Sequence, residues 1–330
     1  MKIKRVRLIY FSATNTTQTV VRRIGAKLSE CLDVPVQENN FTLPKAREQD
    51  ILCQSEELAV VGVPVYAGRV PNKLLPYVRD AIHGSDTLAV PVVLYGNRDY
   101  DDALIELRDV LESNGFRTIA GAAFVGEHSF SRILAAGRPD AADLQLADSF
   151  AERIVDKLQA LRELPTEPVA VKGNTPYKPY FAPKNAKEYL KVKPVVSDAC
   201  TGCGLCAKLC PLGSIDANDV KHYVGPCIKC GACIKKCPKQ ARFFDNEIYL
   251  YHKRELEQKF QRRAQADLFL EHSDKLPRRD SAEVFCVLAG FYIHFTLKYG
   301  GICCGSAIIW LDSDHENRRD WYGKTVHLCS

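Results

Sequence analysis

No stretch of this 330-residue chain is long and apolar enough to suggest a membrane-spanning helix. The best candidate, residues 284–297, falls short of the ~20 apolar residues that cross a bilayer, and Lys298 interrupts it. No secretory leader is expected: residues 1–7 are basic, but the apolar run that follows is short and no small-residue cleavage site comes after it. Three widespread signatures are missing: the G-x-S-x-G elbow, the G-x-x-x-x-G-K-[ST] phosphate loop and the dinucleotide fingerprint G-x-G-x-x-G. Their absence argues against an elbow-type serine hydrolase, a P-loop NTPase and a nicotinamide site. Neither sign of charge dominates, the net being +5. Lysines gather only over residues 172–194, among four prolines and with little periodicity. A solvated linker explains such a stretch better than a nucleic-acid-binding arm. Neither a nucleic acid nor a membrane is expected as a partner.

What the chain does have is cysteine, 14 in all, with an ordinary apolar content of 46%. Eight cysteines stand in two copies of one pattern, "CTGCGLCAKLCP" from Cys200 and "CIKCGACIKKCP" from Cys227. Each reads C-x2-C-x2-C-x3-C-P, the spacing that holds cubane iron–sulfur clusters. Thiolates are soft ligands, so eight of them in this arrangement imply two [4Fe-4S] centres and one-electron chemistry. In this pattern the fourth cysteine of each run crosses to the other cluster. Cys200, Cys203, Cys206 and Cys237 then bind cluster one, and Cys227, Cys230, Cys233 and Cys210 bind cluster two. Gly204, Gly231 and Ala232 let the backbone approach each cluster, and Pro211 and Pro238 turn the chain after the last ligand. Structural zinc uses separated C-x2-C pairs, and disulfide frameworks belong to short secreted chains; neither matches. The second run starts 27 residues after the first (227 − 200), with Gly and Lys repeated at Gly204 and Gly231, Lys208 and Lys235. A small duplicated domain stapled by its metal is expected. So many cysteines without a leader imply a reducing cytoplasm, and the lability of such clusters implies an oxygen-poor one.

The first 165 residues alternate strand and helix. Apolar runs predict strands over 6–12, 58–66, 91–97 and 116–126, with a weaker one over 34–39. Helical spacing predicts helices over 17–32, 72–82, 101–115 and 140–161. Pro76 threatens to kink the second helix, and Pro91 suits the first residue of its strand better than the middle. Such alternation argues for an α/β fold, a doubly wound parallel sheet of flavodoxin-like order. Ligands sit at the carboxyl ends of such strands. Three loops fall there: Ser12 to Thr19, rich in hydroxyls at a helix start; Pro64 to Pro71, with Tyr66; and Tyr95 to Asp102, with Gly96 and Tyr100. A phosphate loop and two aromatic-bearing loops around one crevice suit flavin mononucleotide. His128 reads as a structural histidine bonded to a neighbouring loop, with a flavin-edge role as the alternative.

The motifs "YFSATNTTQ", "VPVYAGRVP", "YGNRDYDDAL", "GAAFVGEHSF" and "GNTPYK", followed by the two cysteine runs, occur here in that order. In this the chain resembles the flavodoxin–ferredoxin fusion proteins of anaerobic bacteria over about residues 3 to 270. The resemblance implies that Ser12, Thr14, Asn15, Thr16 and Thr17 contact the FMN phosphate. It implies that Pro64, Tyr66, Ala67, Gly68, Gly96, Asn97 and Tyr100 flank the isoalloxazine. Asn15 replaces the glycine usual in that loop, though asparagine tolerates left-handed φ.

The domains expected are a flavodoxin-like FMN-binding domain (1–165), a linker (166–194), a small α+β two-cluster ferredoxin domain (195–245), a helical segment (246–271) and an extension of unknown structure (272–330). Cys286, Cys303, Cys304 and Cys329 in the extension are too irregularly spaced to form a metal site. The function expected is electron transfer between two [4Fe-4S] clusters and FMN, as an oxidoreductase or electron carrier. A redox protein is the natural donor or acceptor, with a small molecule as the other candidate. The rival reading is a redox-responsive binding module without turnover.

Overall fold

A computed structural model describes residues 2–180 and 186–271 in full, and beyond them the backbone of four strands. The chain divides into two units, residues 1–273 and 274–330.

The first unit opens with β1 (Arg5–Tyr10), α1 (Thr16–Leu32), β2 (Val36–Asn40), β3 (Ile51–Cys53) and β4 (Glu57–Pro64). It continues with α2 (Leu75–Ala81), β5 (Ile82–Gly84), β6 (Thr87–Tyr95), α3 (Ala103–Ser113), β7 (Phe116–Thr118), β8 (Gly121–Val125) and α4 (Ala141–Ala160). The principal parallel strands run β2-β1-β4-β6-β8. That is order 2-1-3-4-5, the doubly wound flavodoxin-like topology. Helices cover both faces, so the central strands read as continuous apolar runs: all nine residues of β6 are buried. One core packs Val20, Ile24, Leu28, Phe150 and Ile154 of α1 and α4 beneath the sheet. The other packs Val78, Leu104, Leu107 and Leu111 of α2 and α3 above it.

Two prolines behave differently from the expectation. Pro76 lies in the first turn of α2, where its missing N–H is no loss, and it starts the helix rather than kinking it. Pro91 stands in the middle of β6. On that side of the strand, β7 pairs with residues 87–89 and β8 with residues 92–95. The proline therefore falls where the neighbouring chain passes from one strand to the next, and no ladder donor is wasted.

After α4 the chain is a strap rather than a free linker. Asp102, wholly buried, accepts from Asn174 N and Nδ2 (2.9 and 2.7 Å) and from Lys178 N (2.6 Å). Arg69, paired with buried Glu106 at 2.5 Å, lies 4.7 Å from the centre of the Tyr177 ring and 4.9 Å from that of Tyr180. The small domain then forms from α5 (Ala186–Lys191), β9 (Val195–Val196), α6 (Leu205–Lys208), α7 (Ala232–Lys235) and β10 (Arg242–Phe243), with β9 antiparallel to β10.

The segment expected to be helical to residue 271 is helical only through α8 (Glu247–Lys259). The chain then crosses back and adds β11 (Asp267–Phe269) antiparallel to β8 at the edge of the large sheet. Asn97 donates to Phe260 O and Arg262 O (2.6 and 2.7 Å), Arg138 to Ala264 O (2.7 Å) and Tyr95 to Gln265 O (2.7 Å). Tyr100 donates to Asp267 Oδ2 at 2.6 Å. These long-range partners were invisible in the local pattern of residues 260–271.

In the second unit β12 (Ser281–Leu288), β13 (Phe291–Lys298), β14 (Gly305–Asp312) and β15 (Trp321–Leu328) pair in sequence order as an antiparallel meander. Cys303, Cys304 and Cys329 lie outside the described residues, as does the side chain of Cys286. Among the described residues, no helix is long and apolar enough to cross a membrane.

Candidate functional site: two cysteine cages beside a loop-lined cleft

The cysteine runs build two cavities. One is lined by Cys200, Cys203, Cys206 and Cys237, and also by Cys233. The other is lined by Cys210, Cys227, Cys230 and Cys233. The fourth cysteine of each run thus sits with the first three of the other. The local backbone repeats faithfully. Gly204 and Gly231 cap α6 and α7 at φ 74° and 76°, a left-handed geometry that favours glycine. Gly202 N and Lys229 N each lie 3.4 Å from Cys200 Sγ and Cys227 Sγ, and Ser214 N and Ala241 N each 3.3 Å from Cys210 Sγ and Cys237 Sγ. These amides already point at sulfurs, as a thiolate cage requires. Burial pushes the thiols of Cys227 and Cys230 up, and that of Cys233 to about 12. Buried thiols of this kind become thiolates when a cation compensates the charge.

The cages are unequally placed. Cys203 is exposed, whereas Cys230 and Ala232 are buried in the core above the large sheet, with Phe11, Ala13 and Tyr95. A Cβ on Gly231 would stand 2.6 Å from Ser129 O, so only glycine permits this approach.

Beside Cys230 opens a cleft at the carboxyl ends of β1, β4, β6 and β8. It is lined by Ala13, Thr14, Thr16, Thr17, Pro64, Tyr66, Gly96 and residues 126–129, among others. Thr17 Oγ1 is buried and has no hydrogen-bond partner. Asn15, at φ 72°, starts α1 without a side-chain cap, and the first turn carries no acid. The helix start therefore keeps unpaired N–H donors and an unsatisfied hydroxyl at one spot, which fits a phosphate group. Ser12 is committed elsewhere: its N–H donates to Thr42 Oγ1 (2.8 Å) and its hydroxyl accepts from Gln18 N (3.0 Å). Ala67 and Gly68 form the tight turn between Tyr66 and Arg69, outside the cleft lining. Asn97 and Tyr100 are also outside the lining, tied to the returning segment.

His128 lines the cleft, and a Cβ on Gly96 would meet its ring at 2.3 Å. Its Nδ1 accepts from Phe130 N at 3.1 Å, and burial, with Lys235 nearby, pushes its pKa down to about 3. The imidazole is neutral and locally bonded, consistent with a structural role.

Sequence reasoning passed over the two lysines of "CIKKC". Lys235 reaches from α7 into the loop that walls the cleft, donating to Glu127 Oε1 (2.5 Å), His128 O (2.6 Å) and Ser131 O (3.0 Å). Lys236 donates to Asn15 Oδ1 at 2.8 Å, just before α1. The repeat was the one sequence signal for Lys235, since Lys208 holds its place but is exposed; Lys236 had none, its counterpart being Leu209.

Residues 193–238 match the model of the 4Fe-4S dicluster domain family. No curated protein matches the chain. Among solved structures, a flavodoxin from the domain Archaea is 15% identical with a TM-score of 0.35, covering 47% of this chain and 99% of that one. A short-chain flavodoxin associated with a PDU bacterial microcompartment is 16% identical with a TM-score of 0.34, with coverages of 47% and 99%. The apo form of an NADH:FMN oxidoreductase is 18% identical with a TM-score of 0.33, with coverages of 50% and 92%. By its own strand order and by the matched cysteine domain, the chain joins a flavodoxin-like domain to a 4Fe-4S dicluster domain, the arrangement of a flavodoxin–ferredoxin fusion.

Proposed function

We propose that this chain is an electron-transfer iron–sulfur flavoprotein. Cys200, Cys203, Cys206 and Cys237 hold an outward [4Fe-4S] cluster, and Cys210, Cys227, Cys230 and Cys233 an inner one. The cleft takes FMN, its phosphate on Thr14, Thr16, Thr17 and the first turn of α1, its ring near Pro64, Tyr66 and Gly96. Bound there, the clusters supply one-electron chemistry and the flavin accepts one or two electrons.

The observation that carries this reading is the shared core. Cys230 and Ala232 are buried together with Ala13 and Tyr95 of the cleft, and Tyr66 packs against the same group. Burial, with the Cys230 and Cys227 thiols nearby, pushes the Tyr66 hydroxyl well above its usual range. The residues keep the inner cage and the cleft dry and adjacent, while exposed Cys203 offers the outer cage to a redox protein. Lys235 neutralises Glu127 in the cleft wall, which makes the wall compatible with an anion. The cleft itself is the place for a small-molecule acceptor, and thiolate chemistry of this kind belongs in a reducing, oxygen-poor cytoplasm.

The test is anaerobic reconstitution of the full chain. It should take up about eight irons and eight sulfides and bind FMN. A one-electron donor should then reduce the flavin faster when the clusters are present than when they are not. A chain that holds both clusters yet binds no FMN, or whose flavin is reduced at the same rate without them, refutes the proposal.

A further inference from the structure

The two halves of the cysteine duplication differ at one telling position. Ile215, 5% exposed, lines the inner cage. Its counterpart 27 residues on (215 + 27) is Arg242, 3% exposed, which lines the outer cage. Arg242 donates from Nη1 to the Tyr223 hydroxyl at 2.7 Å and from Nη2 to Val220 O; neither partner is a carboxylate. Its buried Nε–H has no partner. Its guanidinium also interacts with the thiols of Cys206 and Cys233, with Cys206 by hydrogen bonding as well as by charge. A buried guanidinium without an anion is costly, and an unpaired donor beside a sulfur ligand calls for a negatively charged acceptor.

We infer that Arg242 is the counter-cation of the outer cluster, donating its Nε–H to a sulfur there, and that it raises the reduction potential of that cluster. The inference rests on the two-cluster reading. Reduction adds one electron and no proton, so the cage gains one negative charge. Nearby positive charge and hydrogen bonds to sulfur favour that form. Ile215 gives the inner cage neither; a buried cation lining that cage is Lys229, whose Nζ lies 3.4 and 3.5 Å from Leu190 O and Cys227 O and 4.7 Å from the centre of the Tyr189 ring.

The experiment uses the full chain labelled with 15N-arginine, reconstituted anaerobically and reduced. Pulsed EPR should resolve a 15N coupling to a reduced cluster. Arg242→Met should abolish it, and in a redox titration one midpoint should fall while the other stays. Arg242→Lys, which keeps the charge, should retain part of that midpoint without the arginine coupling. Wild-type protein with both clusters and no 15N coupling overturns the inference, and so does an Arg242→Met variant with both midpoints unmoved. Should Arg242→Met fail to hold its clusters, the labelled wild type decides alone. Wild-type protein that takes up fewer than about eight irons removes the two-cluster premise itself, which is a separate failure.

Discussion

Replacing Lys235 with methionine keeps the stem of the side chain and removes its ammonium. Three contacts vanish, to Glu127 Oε1, His128 O and Ser131 O. The side chains of Lys235 and Glu127 are 12% and 27% exposed, so the small value typical of surface ion pairs does not apply. Breaking a buried pair costs about 3–5 kcal/mol because the other charge is stranded. Water reaches the partly exposed Glu127, which places the expected loss near the lower end, ~3 kcal/mol, or on the order of 100-fold in the folding equilibrium. Anaerobic urea denaturation of the reconstituted protein measures it. Lys208→Met is an internal control, being the same substitution at the equivalent but exposed repeat position, and should stay within about 0.5 kcal/mol of wild type. A double-mutant cycle with Glu127→Gln should return a coupling above ~1 kcal/mol. FMN affinity should fall as well, because residues 127–129 wall the cleft. If Lys235→Met costs no more than Lys208→Met, α7 is not held to the cleft wall by this ammonium and the argument fails.

Thr17→Val removes an unpartnered buried hydroxyl, so the flavin-free protein should be as stable as wild type or more so, while FMN binding weakens by roughly 1.5–3 kcal/mol and riboflavin binding hardly changes; equal losses for both flavins would place the phosphate elsewhere. Burial holds the pKa of His128 at about 3, below its usual 6.5, so the unfolded chain binds the proton first and stability drops as pH falls through 6.5. Between pH 7.5 and 5.5 linkage gives a loss of roughly 1.4 kcal/mol, and denaturation midpoints of His128→Gln should lack this component. Cys203→Ser should perturb the EPR signal of the exposed cluster and spare the inner one, whereas Cys230→Ser should do the reverse and also slow flavin reduction; identical effects of the two would mean the cages are not distinct.

The cysteine ruler was legible because ligand spacing is local; Cys210 and Cys237 line cavities with cysteines of the other run, and Cys233 lines both. The doubly wound sheet was legible because helical and strand periods alternate cleanly over residues 1–165. The position of Pro91 was not, since the gap between β7 and β8 belongs to a neighbouring strand. Asn97 and Tyr100 looked like flavin contacts because they stand in the right loop. Their partners lie more than 160 residues away in sequence, at Phe260, Arg262 and Asp267. The contacts of Lys235 and Lys236 were not legible for the same reason: their acceptors come from another part of the fold.

The return of the chain as β11 makes the cysteine domain an insertion, fastened at both ends. A domain on a single tether can swing and deliver electrons by search; one closed into a loop by a strap on one side and a sheet strand on the other has little such freedom. Clusters held there would be confined to a fixed geometry, and a protein exchanging electrons with them would have to come to the domain. Cutting the gene after residue 165 is consequently a poor way to isolate the flavodoxin-like part. It would strip β8 of its covering strand and expose a parallel-sheet edge, a template for association between copies. A better excision removes residues 186–259 and joins the strap to the returning segment by a short flexible linker, leaving β11 in place.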